Sequence, residues 1–169
     1  MKKILKYLCA TLAIVLCTSS VFAFSTGSYR VDAKNASYTW GSDITSTHKT
    51  AWENAANDWY NADNVTFYYS SSSSNIVNTR SISGDSAYGS IYYQTTSGNK
   101  LKKFKVELNT LKCTNGTIAR STSGHEIGHA LGLADLTSGT AIMNKNRNRS
   151  SIYTPQTDDI DGVKYVYGY

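Results

Sequence analysis

Residues 125–135 read His125-Glu126-Ile127-Gly128-His129-Ala130-Leu131-Gly132-Leu133-Ala134-Asp135. They begin inside a stretch, 117–131, that fits a helix. On a helix, side chains four residues apart stand one above the other, so the imidazoles of His125 and His129 can reach one ion. Glu126, one step on from His125, projects beside that ion, where a carboxylate can take a proton from water on the metal. The spacing predicts a metal-ligating helix with a base at its side. The chain has only three His and three Glu in all, so composition alone does not generate the pattern.

Elimination narrows the third ligand. No Glu follows Glu126 and no His follows His129, so the nearest oxygen donor downstream is Asp135. Gly132 is placed to stop the helix in a left-handed conformation, which only glycine adopts without steric cost, and to turn Asp135 back toward the two rings. Two imidazoles and one carboxylate leave a fourth position open, as a catalytic zinc site requires. A hard octahedral ion would want more oxygen donors, so zinc is the expected cofactor.

Outward from this stretch, the residue pattern alternates between strand and helix. Residues 29–40 read as a strand interrupted at Asn35, and residues 48–62 as an amphipathic helix whose Ala51, Trp52, Ala55, Ala56 and Trp59 share a face. Residues 65–69, 76–82, 88–95 and 101–108 read as further strands, the last two joined through a turn at Ser97-Gly98-Asn99-Lys100. Residues 158–167 form a final helix. No internal repeat or linker divides the chain. At 169 residues it makes one domain of α+β class, a mixed sheet with packed helices.

Composition removes several functional classes. A mean hydropathy of −0.36 excludes a polytopic membrane protein. The formal charge of +5 misleads. Residues 1–23 carry Lys2, Lys3 and Lys6, then an apolar run over 8–16, then Val21-Phe22-Ala23, and so read as a signal peptide cleaved after Ala23. Removing its three lysines takes 17 basic residues to 14 against 12 acidic, which gives no electrostatic footprint for nucleic acid. The expected product is a secreted domain over 24–169 with no stable membrane association. It keeps one cysteine, Cys113, so no intrachain disulfide can form, and Cys113 is expected to be a small buried hydrophobe.

Residues 125–135 resemble the extended zinc signature of the metzincin peptidases, with Asp135 in the place most members give to His, as in the snapalysin type. Ala141-Ile142-Met143 is similar to the metzincin Met-turn, and residues 158–168 look like the last helix of matrixins. The resemblance implies a matrixin-like catalytic domain that hydrolyses peptide bonds of protein or peptide substrates. It implies His125, His129 and Asp135 as zinc ligands, Glu126 as general base, and Gly132 and Met143 as supports of the site. It implies that Val106, Glu107, Leu108 and Asn109 form the edge strand that pairs with substrate. It also sets Lys145, Arg147 and Arg149 on a pocket wall, where their charge would favour acidic or polar residues just after the cut; the alternative for this charge run is a solvated loop. Calcium stays open, because no clear glycine-rich loop appears around residues 85–89. Only His48 remains for a second zinc, which is therefore not expected. Two rival classes stand against this reading: a secreted binding module that keeps the fold without catalysis, and a Ser-, Asn- and Tyr-rich surface protein that binds no metal.

Overall fold

The apolar stripe on the first helix fixes where the core lies. Ala51, Trp52, Ala55, Ala56 and Trp59 are all buried on one face of α1 (Ser46–Asp63), as three- and four-residue spacing requires. The computed structural model describes residues 24–169; the expected signal peptide, 1–23, lies outside them. α1 stops at Asn64, which is left-handed at φ 52°, a conformation Asn tolerates better than most side chains.

Five strands form one mixed sheet: β1 (Asn35–Trp40), β2 (Thr66–Tyr69), β3 (Ile76–Arg80), β4 (Gly89–Ser97) and β5 (Lys100–Asn109), in the order β2-β1-β3-β5-β4. The first four of that order run parallel, and β4 closes the sheet antiparallel to β5. The alternation of β5 breaks between Leu101 and Phe104. The β4–β5 register shifts there too, between Tyr93 and Thr96, so the apolar side chains stay on the core face. Residues 29–34 do not extend β1 as expected; a 3-10 turn over Asp32–Lys34 separates them from it.

The expectation for Val106, Glu107, Leu108 and Asn109 needs correction. β5 is not an edge: it lies between β3 and β4, with Val106, Leu108 and Asn109 fully buried. Glu107 is tied to Lys105 at 2.5 Å and to Arg80 at 4.0 Å. The free edge on this side of the sheet belongs to β4.

Two further helices complete the fold, α2 (Gly116–Ala130) and α3 (Thr157–Tyr167). α2 packs on α1, where the Trp59 indole N–H donates to the Gly124 carbonyl at 2.9 Å and Arg120 forks onto Asp58 at 2.7 and 2.5 Å. Among the described residues no helix is long and apolar enough to cross a membrane. The architecture is the α+β arrangement expected, a twisted mixed sheet with packed helices.

Candidate active site

α2 is capped by Asn115, whose side-chain oxygen accepts from the Ile118 N–H, and it ends in a glycine-closed motif. Gly132 is left-handed at φ 93°. The Leu133 N–H donates to the Gly128 carbonyl and the Gly132 N–H to the His129 carbonyl, both at 3.0 Å, the paired closure of a Schellman motif. The chain therefore leaves the helix just past His129 and doubles back. The Ala134 N–H donates to Ser25 O at 2.8 Å and the Leu136 N–H to Met143 O at 2.9 Å. Asp135 is thus anchored from both sides.

The three expected ligands converge. Asp135 Oδ1 lies 3.1 Å from His125 Nε2 and 3.6 Å from His129 Nε2. Two ligands on one tetrahedral zinc at about 2.1 Å would be separated by about 3.4 Å. These are the residues that could hold a metal ion among those described.

Proton assignment decides whether the trio fits a cation. His125 Nδ1 sits 2.9 Å from the Ile142 carbonyl, and His129 Nδ1 2.9 Å from the Leu133 carbonyl. A carbonyl only accepts, so both Nδ1 atoms carry the hydrogen, and in the neutral rings both Nε2 atoms present lone pairs. A second proton on His125 is opposed: burial pushes its pKa down to about 4. The Arg147 guanidinium, 3.2 Å from the protonated Nδ1, adds repulsion rather than a hydrogen bond. Contact with the two rings holds the Asp135 carboxyl far below the usual carboxylate range, so it is ionised. Burial opposes a proton on His129, but the Asp135 and Glu126 carboxylates outweigh it and raise its pKa, so a cation competes with that proton for the space between the three donors. Two nitrogens and one oxygen match zinc.

Glu126 faces the same space. It is 3% exposed, and burial raises its pKa to about 7. Gly89, the first residue of β4, makes room for it; a Cβ there would come within 2.7 Å of Glu126 Oε1. Further along β4, the Tyr93 hydroxyl donates to the His129 carbonyl at 3.3 Å. The open edge thus runs along the candidate ligands. A cleft of about 340 Å³ adjoins them, lined in part by Tyr88, Thr122, Lys145, Arg147 and Arg149. A larger cavity, about 680 Å³, lies across the starts of α1 and α2 and includes none of the candidate ligands.

The floor joins Met143, expected as a support, to residues whose role the sequence reading left unstated. Gly124 and Gly128 precede the two histidines, and a Cβ on either would collide with Ile142 or Met143. Met143, 1% exposed, therefore seats directly against α2. The buried Asp159 of α3 accepts from the Ile142 N–H at 2.7 Å and the Met143 N–H at 3.1 Å, which pins the turn that carries them. Of the two expectations for Arg147, a pocket wall or a solvated loop, the second fails: it adjoins the cleft but is only 5% exposed. Its nitrogens donate to Ser121 Oγ at 3.0 Å, Ser121 O at 2.7 Å and Asn144 O at 3.2 Å. It is a strut behind His125. Lys145 is exposed, and Arg149 lies half-buried over the Tyr88 ring at 3.8 Å.

Comparison with known proteins agrees with this geometry. The family model described as matrixin matches residues 27–168. No curated protein matches the chain. Among solved structures, a chain of the GM1-bound form of the ECX AB5 holotoxin superposes with a TM-score of 0.57 at 15% identity, over 85% of this chain and 86% of its own. At that identity the likeness is one of fold.

Proposed function

The chain belongs to the matrixin family of metallopeptidases, and from that premise we propose that it is a secreted zinc endopeptidase acting on proteins. The observation that carries the reading is the meeting of three donors of metal-ligating type, His125, His129 and Asp135, beside a buried carboxylate. Those three residues would hold the ion. Zinc bound there supplies a Lewis acid for the scissile carbonyl and lowers the pKa of water toward about 7.

The chain's own residues account for the rest. Glu126, with a pKa near 7, accepts a proton from the attacking water and passes it to the leaving amine. The carbonyls of Ile142 and Leu133 hold the two rings in the tautomer that leaves Nε2 free. The open edge of β4, rather than β5, offers main-chain donors and acceptors to an extended substrate, with alternate side chains entering pockets. Export rests on residues 1–23, and protein or peptide substrates follow from the family; nucleic acid has no role in this scheme.

The test is metal content coupled to proteolysis. The purified domain should carry close to one zinc per chain. It should cut casein, stop with a chelator, and resume when zinc is restored. Full zinc loading without cleavage would reject the peptidase and favour a binding module. Recovery of the protein from the medium with Phe24 at its N-terminus checks export.

A further inference from the structure

The cleft beside Glu126 holds cations that the proposed reaction does not use. Its acids, Glu126 and Asp135, are committed to the base and ligand positions. Arg147 is committed as well, since its nitrogens meet Ser121 and Asn144 behind His125. Arg149 is different. Its guanidinium lies over the Tyr88 ring at 3.8 Å, one amino group donates to the Lys145 carbonyl at 3.0 Å, and its buried Nε has no hydrogen-bond partner. Among the described residues, neither Arg149 nor Lys145 forms an ion pair with a carboxylate. A half-buried guanidinium, held over an aromatic ring and lacking an anion, is a fork already placed to take one. Aromatic stacking also removes much of the rotamer freedom that binding would otherwise cost.

We propose that Arg149, with Lys145 at the rim, forms a subsite for a carboxylate on a residue flanking the scissile bond. The subsite makes the protein selective for acidic sequence at that position. This rests on the peptidase reading and adds the chemistry of the side chain that the cleft selects. The same fork would take either an acidic side chain within a chain or the terminal carboxylate of a peptide, and the two sources separate experimentally.

Peptides that differ only by Glu, Gln or Lys at each position around one cleavage site are compared as kcat/KM, with free and amidated C-termini. The zinc-loaded enzyme should favour Glu over Gln by about tenfold to a hundredfold at one flanking position, the range expected for a charge-assisted contact. The preference should shrink as salt is raised. Arg149→Lys should keep part of the Glu/Gln ratio, Arg149→Gln should bring it close to one, and Arg149→Glu should favour Lys. A preference that vanishes on C-terminal amidation assigns the fork to the chain terminus; one that survives assigns it to a side chain. The ratio is also read as binding of fluorescent peptides to zinc-loaded Glu126→Ala, which needs no turnover. Equal cleavage of Glu and Gln peptides by an active enzyme overturns the subsite and leaves the peptidase intact. Absence of both cleavage and peptide binding overturns the two together.

Discussion

Two carboxylates less than ten residues apart are driven to opposite protonation behaviour by their surroundings. Asp135 is anchored on a reversing loop against two imidazoles and stays ionised, which suits a ligand. At Glu126 burial outweighs the cationic groups around it, and its pKa rises to about 7, which suits a group that must gain and lose a proton near neutral pH. Exchanging Glu126 for Gln keeps the volume and removes the base. The variant should retain zinc at the wild-type stoichiometry and lose turnover by about 10²–10⁴-fold, the usual contribution of a positioned general base. Metal analysis beside a peptide assay checks both halves, and a near-wild-type rate would remove Glu126 from the chemistry. This much was legible in the sequence, because a spacing of four and a helix-stopping glycine are local features. The role of Arg147 was not. Its charge suggested solvent, and only the fold reveals Ser121 and Asn144 waiting to receive it.

At the scale of elements, α2 works as a plate with two different faces. His125 and His129 face the donors, while Gly124 and Gly128 leave a smooth strip on which Ile142 and Met143 lie. Adding one methyl at position 128 opposes two effects. Alanine in a helix interior gains about 1 kcal/mol over glycine, and forcing a methyl into a filled core costs about 1–3 kcal/mol. Met143 is buried and Asp159 holds its backbone in place, so the second effect should win. Gly128→Ala should lose about 1 kcal/mol by denaturant unfolding and bind zinc more weakly. Gly116→Ala, at the open start of the same helix, should be neutral or mildly stabilising. Equal behaviour of the two variants would show that the strip is not tightly packed. Every α-helix and strand boundary but the start of β1 was readable to within two residues, yet the place of β5 in the sheet was not. Hairpin partners β4 and β5 are both legible strands. Which of them faces the open edge depends on parallel pairing between β5 and β3, more than twenty residues away, and no local pattern records it. Asp159 escaped for a similar reason. Residues 158–161 contain three aspartates, and only the arrival of the Met-turn tells which one points inward.

Across the whole molecule, the site sets a stability profile opposed to what its chemistry needs. Burial raises the Glu126 pKa from 4.5 to about 7, so the metal-free folded state holds a proton there that the unfolded chain has already released. Above pH 7 the folded state must bury the charged carboxylate, at a cost of the order of 3 kcal/mol for a shift of this size. As pH falls from 7 toward 4.5, the folded state takes up the proton first and the cost disappears. His125 acts in the reverse sense: its pKa falls from 6.5 to about 4, so acid favours the unfolded chain through that window. The two slopes oppose each other between about pH 4.5 and 6.5 in the metal-free protein. Glu126→Gln removes one of them. With a chelator present, the variant should be more stable than wild type at pH 8 by a few kcal/mol. Its advantage should shrink steadily on acidification and be nearly gone by pH 5, as read by urea unfolding at each pH. A difference that stays constant with pH would mean that Glu126 titrates alike in the folded and unfolded chains, and that its burial does not tune it for proton transfer.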